Sequence, residues 1–276
     1  MKIARTAAEL QEFLAGRKGI SGFVPTMGAL HSGHISLAEK AREENDTVVV
    51  SIFVNPTQFN DPADLERYPR TEQADLELLE AAGTDIVFAP SVKEVYPEPD
   101  TRQFDFGELE KVMEGAHRPG HFNGVAQVVS RLFDTVKPTK AYFGEKDFQQ
   151  IAVIHKMVEQ TNPEVEIISC PIIRDMDGLA LSSRNALLTP DQRKAAPCIY
   201  KVLKEAATRI AAGGDIKEIT IWAAEQIDRN PFLETEYIEV AEPHALRSVD
   251  KLTEQNRIFA AVRCGKVRLI DNLPIN

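Results

Sequence analysis

The feature that most constrains this chain is the run at residues 47–54 (TVVVSIFV), almost continuously apolar and rich in β-branched side chains. A strand without a polar face has to be covered on both sides, a condition met when helices flank a parallel sheet. Before it, residues 20–25 (ISGFVP) form a short apolar run ended by proline. The glycine-bearing turn TMGALHSGH and an amphipathic run from His34 to Asn45 follow. That order predicts strand, loop, helix and strand, a βαβ unit. Earlier still, Thr6 and Glu9 make a capping-box pattern that opens a helix ended by Gly16 and Gly19.

The alternation continues with a helix at about 71–82, a strand at 85–89, a helix at about 123–136 and a strand at 140–143. A helix at about 147–160 leads to apolar runs at 165–169 and 171–173. This pattern predicts an α/β fold, a Rossmann-like doubly wound parallel sheet whose ligands bind at the carboxyl ends of the strands. Around 174–188 turn-formers take over, and Thr189 before Pro190 reads as a helix start. A long helix to about 211, another at about 215–228 and strand-like runs at 235–241, 257–263 and 266–270 predict a smaller C-terminal α+β domain. The domains are therefore expected at 1–176 and 177–276, in keeping with a soft prior of roughly 150 residues per domain.

Composition excludes partners rather than naming them. With 32 basic against 42 acidic residues and a formal charge of −10, the chain is a poor match for a general nucleic-acid or anionic-membrane surface. Any anion must be caught locally. No stretch approaches the ~20 apolar residues of a membrane span, and the start, MKIARTAAELQEFL, has no long apolar core of a secretory signal. Cys170, Cys198 and Cys264 are odd in number, widely spaced and without a CxxC pair, so they read as reduced thiols. A cytoplasmic protein is expected.

The strongest local signal is Met27-Gly28-Ala29-Leu30-His31-Ser32-Gly33-His34, an HxGH sequence between a buried strand and a helix. A helix N-terminus gathers unpaired N–H groups and a positive dipole end, and glycines let the backbone approach a phosphate. Two imidazoles three residues apart can donate to phosphate oxygens as charge builds at phosphorus. For a bare HxxH the bland alternative, a loop residue and a cap, would win; the strand, the glycines and the helix reverse that judgement. No GxxxxGK[ST] is present, and no GxGxxG follows the first strand, which disfavours P-loop hydrolysis and nicotinamide chemistry. HxGH resembles the nucleotidyltransferase superfamily, and this implies attack on the α-phosphate of a nucleoside triphosphate.

Two further elements could hold the β- and γ-phosphates. Gly144-Glu145-Lys146-Asp147 lies at a strand end before a helix, with Lys146 as a point charge and Asp147 or the Gly144 backbone near a ribose. Leu181-Ser182-Ser183-Arg184-Asn185 offers two hydroxyls and a guanidinium on a segment that could close over ATP. Each has a bland alternative as a solvated turn. Asn55-Pro56-Thr57-Gln58-Phe59 follows the buried strand, so its amides could recognise a hydroxy acid, and Gln150 lies about one helical turn beyond Asp147.

Taken together, FVPTMGALHSGH (23–34), SIFVNPTQF (51–59), DLERYPRT (64–71), RPGHFNGV (118–125), AYFGEKD (141–147) and DGLALSSRN (177–185) look like the pantothenate synthetase family. The resemblance implies that ATP activates pantoate as an acyl-adenylate, which β-alanine then captures, with Mg²⁺ offsetting charge on the leaving pyrophosphate. It implies that His31, His34, Lys146, Ser182, Ser183 and Arg184 hold phosphates, His34 having the acid role. By the same carry-over Gly144 and Asp147 meet the ribose, Met27 and Ile173 lie near the nucleotide, and Gln58 and Gln150 bind pantoate. Asn55, Tyr68, Arg118 and His121 match pocket positions. Asp75 matches an acidic position near the metal, with a solvated helix carboxylate as the bland alternative. Leu181 stands where the family often has Met, a volume-conserving change. A C-terminal lid and a homodimer are family expectations. The rival readings are a nucleotidyltransferase that leaves the nucleotide on its product, a small tRNA-synthetase-like enzyme and a nucleotide-sensing protein without turnover.

Overall fold

The computed structural model describes residues 1–59, 62–161 and 164–276. The chain separates into two compact units, Met1–Glu110 with Arg118–Pro171, and Lys111–His117 with Ile172–Asn276. The change of unit falls between Pro171 and Ile172, a little before residue 176. Lys111–His117 joins the second unit, which the sequence pattern does not foreshadow.

In chain order the elements of the first unit are β1 (Lys2–Ala4), α1 (Ala7–Leu14), β2 (Ser21–Thr26), α2 (Ser32–Glu44), β3 (Thr47–Ile52), α3 (Pro62–Arg67), α4 (Glu72–Ala81), β4 (Ile86–Phe88) and α5 (Val92–Val95). After α6 (Met113–His117), which belongs to the second unit, come α7 (His121–Val136), β5 (Lys140–Gly144), α8 (Phe148–Thr161) and β6 (Glu166–Cys170). All six strands are parallel, in the order β1-β4-β3-β2-β5-β6. Val48, Val49 and Val50 are all fully buried, although successive strand residues point to opposite faces. The apolar run thus does lie in a doubly covered strand. Val48 and Val50 pack with Leu37 and Ala41 of α2. The edge strand β1 has only three residues, too few for a periodic signal.

Pro25 sits in the central strand β2, where a missing N–H would ordinarily break a ladder. The Thr26 carbonyl accepts from Phe53, which follows β3, so Pro25 faces β5 instead. There β5 pairs only with Gly22 and Phe23, so no bond is lost.

The second unit continues with α9 (Pro190–Ala195), α10 (Cys198–Ala211), α11 (Ile216–Asp228), β7 (Leu233–Ala241), β8 (Arg257–Cys264) and β9 (Val267–Pro274). Its strands form an antiparallel meander, and α10 and α11 bury Leu203, Ile210, Ala223 and Ile227 with Ile258, Val262 and Leu269. The fold is the expected α/β sheet with a small α+β unit. One local expectation fails. The long helix predicted to reach 211 is two helices, because Pro197 caps α10 and cannot donate within a continuous helix. After the apolar run at 171–173, a bridge between Arg174 and Ala180 closes a tight turn across Asp175 and Gly178.

Candidate active site

Strand order reverses direction at β2 and β5: β3 and β4 lie to one side, β6 to the other. The loop after β2 carries HxGH and the loop after β5 carries Gly144–Asp147, so both emerge at the carboxyl ends of neighbouring strands, the switch point of an open sheet.

The first loop is held in an unusual backbone path. Gly28 (φ +77°) and Ala29 (φ +51°) are both left-handed, a conformation that a residue with a Cβ adopts at a cost. Asp75 of α4, 1% exposed, supplies the compensation. Its Oδ2 accepts from the Ala29 N–H at 2.9 Å, and its Oδ1 accepts from the Leu30 N–H at 2.8 Å and the Thr71 hydroxyl at 3.1 Å. A Cβ on Gly28 would stand 3.0 Å from both Asp75 Oδ2 and Ile52 Cγ2, so glycine is required by position as well as by φ. Burial removes the solvated-helix reading of Asp75. Both of its carboxylate oxygens accept hydrogen bonds from the loop. Among the described residues no group of three or more His, Cys, Asp and Glu could hold a metal ion.

His31 is the N-cap of α2, its Nδ1 accepting from the Gly33 N–H at 3.2 Å, which leaves a neutral ring's proton on Nε2. The His34 ring lies over it, centroids 4.1 Å apart. Burial, then the electrostatic influence of the neighbouring His31 and of Lys146, hold His34 down to about 3, so its imidazole is neutral near pH 7. His34 Nδ1 is buried without a hydrogen-bond partner. An unpaired buried nitrogen costs roughly 1–3 kcal/mol, a cost that a phosphate oxygen beside it would offset. Lys146 is largely covered, with its Nζ 3.7 Å from Asp147. Gln150 lies half-buried on the first turn of α8, while neighbouring Gln149 is buried and donates to the Leu109 carbonyl.

A second cluster gathers after β3. Asn55, 1% exposed, accepts through Oδ1 from the Thr57 N–H and hydroxyl and from the Tyr96 hydroxyl at 2.9 Å. Through Nδ2 it donates to the Gly124 carbonyl at 3.2 Å and to Gln58 Oε1 at 3.1 Å. The Gln58 Nε2 meets Met27 Sδ at 3.2 Å. Arg118 Nη1 lies 3.0 Å from His121 Nε2; a guanidinium only donates, so that nitrogen accepts and Nδ1–H donates to the Gln58 carbonyl at 2.8 Å. Tyr68 is buried edge-on against Phe59, centroids 5.8 Å apart. The structure therefore brings Met27, Asn55, Gln58, Arg118 and His121 into one connected network. Tyr96 belongs to it and was missed, although it follows β4 and so stands at the same sheet edge.

In the second unit, Ser182 caps the turn Ser183–Leu187 by accepting from the Arg184 N–H. The turn is mounted on a braced base. Leu181 donates to the Ile173 carbonyl, Asn185 to Ala180, and Arg174 makes a bidentate pair with Asp271 at 2.6 and 2.7 Å. Arg193 holds Asp175 and Asp177.

Comparison with known proteins gives concordant likenesses. The family profile described as pantoate-beta-alanine ligase matches residues 2–274. A pantothenate synthetase of Porphyromonas gingivalis is 53% identical over 279 residues, covering 99% of each chain. One of Bacteroides fragilis is 51% identical over 278 residues, covering 99% of this chain and 98% of its own. The crystal structure of pantothenate synthetase from Thermus thermophilus superposes with a TM-score of 0.94 at 45% identity, covering 100% of this chain and 99% of that one. The pantoate-beta-alanine ligase of Francisella tularensis, complexed with beta-gamma ATP and beta-alanine, gives 0.84 at 39% identity, covering 99% and 97%.

Proposed function

The chain belongs to the pantoate–β-alanine ligase family, enzymes that form pantothenate from pantoate and β-alanine, and we propose that it does so with ATP through a pantoyl-adenylate. The observation that carries this reading is the His31–His34 loop at the switch point, with a neutral, half-buried imidazole whose Nδ1 is buried beside the α2 N-terminus. The Francisella relative's complex with an ATP-type ligand and β-alanine supports the choice of co-substrates.

In the first half-reaction the pantoate carboxylate attacks the α-phosphorus and pyrophosphate leaves. His31, His34 and Lys146 meet the developing charge, and the α2 N-terminus adds its dipole. A neutral His34 donates a proton in a hydrogen bond without repelling its cationic neighbour Lys146. Gly144 and Asp147 take the ribose, Met27 and Ile173 the nucleotide surroundings, and Gln58 and Gln150 the pantoate, with Asn55, Tyr68, Arg118 and His121 shaping the pocket. Ser182, Ser183 and Arg184 are assigned phosphate contacts on their motif alone. In the second half-reaction the β-alanine amine attacks the adenylate carbonyl and AMP departs, so excluding water protects the intermediate. Mg²⁺ would come in with the ATP phosphates and offset charge on the leaving pyrophosphate, with Asp75, which also holds the loop, the acidic position assigned beside it. A cytoplasmic homodimer completes the proposal. No helix among the described residues is long and apolar enough to cross a membrane.

Labelled pyrophosphate should exchange into ATP only when pantoate is present, and AMP and pantothenate should appear only after β-alanine is added. Exchange without pantoate, or turnover without AMP, overturns the adenylate route.

A further inference from the structure

We propose that Tyr96 is a positioning residue for the acid substrate: through Asn55 it fixes the Gln58 side-chain amide so that its NH₂, and not its oxygen, faces the bound acid. This rests on the reading of Gln58 as a pantoate contact.

The argument is one of hydrogen-bond polarity. An amide side chain can be turned end for end with little change in shape, so its donor and acceptor ends are decided by neighbours that can only donate or only accept. Asn55 has one of each. The Thr57 backbone N–H can only donate, at 3.3 Å, so the atom beside it is the oxygen Oδ1. The Gly124 backbone carbonyl can only accept, at 3.2 Å, so the atom beside it is the nitrogen Nδ2. The Tyr96 hydroxyl adds a donor to the oxygen end at 2.9 Å, the shortest contact that oxygen makes. With Asn55 so fixed, its second Nδ2 proton points at Gln58, which must answer with Oε1 at 3.1 Å. That leaves the Gln58 NH₂ at the other end, where its neighbour is the Met27 thioether, a weak acceptor. A carboxylate or hydroxyl oxygen is a far better partner for that NH₂. An inverted Gln58 would set its oxygen against a substrate carboxylate.

The surroundings keep the relay from relaxing. Asn55 is 1% exposed, so water does not compete for its ends. The Tyr96 ring is held between Phe53, centroids 6.3 Å apart, and the Arg131 guanidinium 5.1 Å over its face. Removing only the hydroxyl therefore leaves the ring packed. Tyr96 follows the short helix α5, and its hydroxyl meets Asn55 Oδ1 and, at 3.3 Å, the Thr57 hydroxyl that itself donates to Asn55 Oδ1, so it reaches Gln58 through Asn55.

The test is pyrophosphate exchange by the full-length protein carrying Tyr96→Phe, with KM for pantoate and for ATP measured separately. Loss of one hydrogen bond to the relay should raise KM for pantoate by about tenfold while KM for ATP stays within about twofold. In a Gln58→Ala background the same Tyr96→Phe change should have almost no further effect, because the residue it acts through is gone. Equal pantoate KM values for wild type and Tyr96→Phe overturn the relay, as does a full tenfold loss persisting in the Gln58→Ala background. If Tyr96→Phe does not fold, Asn55→Asp serves: its carboxylate cannot donate to Gln58 Oε1, and an unchanged pantoate KM in that variant likewise overturns the relay. Wild-type protein lacking any pantoate-dependent exchange would instead overturn the functional reading on which the relay rests.

Discussion

Two side chains of the first unit, half-buried His34 and buried Asp75, make separable predictions at the scale of single residues. His34 is neutral in the fold because burial, His31 and Lys146 hold its pKa near 3, against 6.5 when unfolded. Below pH 6.5 the unfolded chain binds a proton that the folded chain does not, so folding stability falls as pH drops from 6.5 toward 3, by at most about 1.4 kcal/mol per unit. His34→Gln should flatten that part of the stability profile in urea titrations at pH 7, 6 and 5, and should depress pyrophosphate exchange by orders of magnitude. An unchanged slope would show that His34 is not the group responsible. Asp75 should behave differently. Asp75→Ala leaves the Ala29 and Leu30 N–H groups without their acceptor, and each buried loss costs about 1–3 kcal/mol. The expected result is a lower urea midpoint together with a raised KM for ATP and little change in KM for pantoate.

At the scale of elements, the close approach of α7 to the turn at Pro56–Gln58 sets the acid-side network. A Cβ on Gly124 would lie 2.5 Å from the Thr57 carbonyl oxygen, a backbone atom that cannot swing away. Gly124→Ala should therefore push the helix off the turn and destabilise by about 1–3 kcal/mol, the usual range for overpacking. Because Gly124 also accepts from Asn55, the pantoate KM should rise with it; thermal unfolding and steady-state kinetics on one preparation check both. In the second unit the turn bearing Ser182 and Arg184 stands on a base tied by Arg174 to Asp271 and by Arg193 to Asp175 and Asp177. The mobility expected from its polar, turn-forming sequence is thus countered at the base by ion pairs whose carboxylates come from both near and distant sequence.

At the scale of the whole molecule, the second unit is discontinuous. Glu114 of α6, 7% exposed, pairs through both oxygens with Arg268 at 2.6 and 2.7 Å and accepts from the Tyr237 hydroxyl at 2.9 Å. Glu236 pairs with Arg268 and Arg263 in turn. Removing one partner from a buried pair commonly costs about 3–5 kcal/mol, so a fragment of residues 172–276, which leaves Arg268 and Tyr237 without Glu114, should be far less stable than the same unit in the intact chain. Hydrogen exchange in β9 reads that difference directly.

The sequence by itself determined the class of the main sheet and the place of its chemistry. An apolar run with no polar face permits only a covered parallel strand, and loops after such strands collect at one edge, so HxGH, Asn55–Gln58 and Gly144–Asp147 were all legible there. Motif order carried the family. Tertiary structure decided how those residues are aimed. That Asp75 reaches back 45 residues to hold Leu30, that Tyr96 and Gly124 set the polarity of Gln58, and that Glu114 belongs with β7 and β9 all depend on contacts between elements distant along the chain. Periodicity reports which face of an element is buried, and it holds no record of which polar atom a buried side chain will meet.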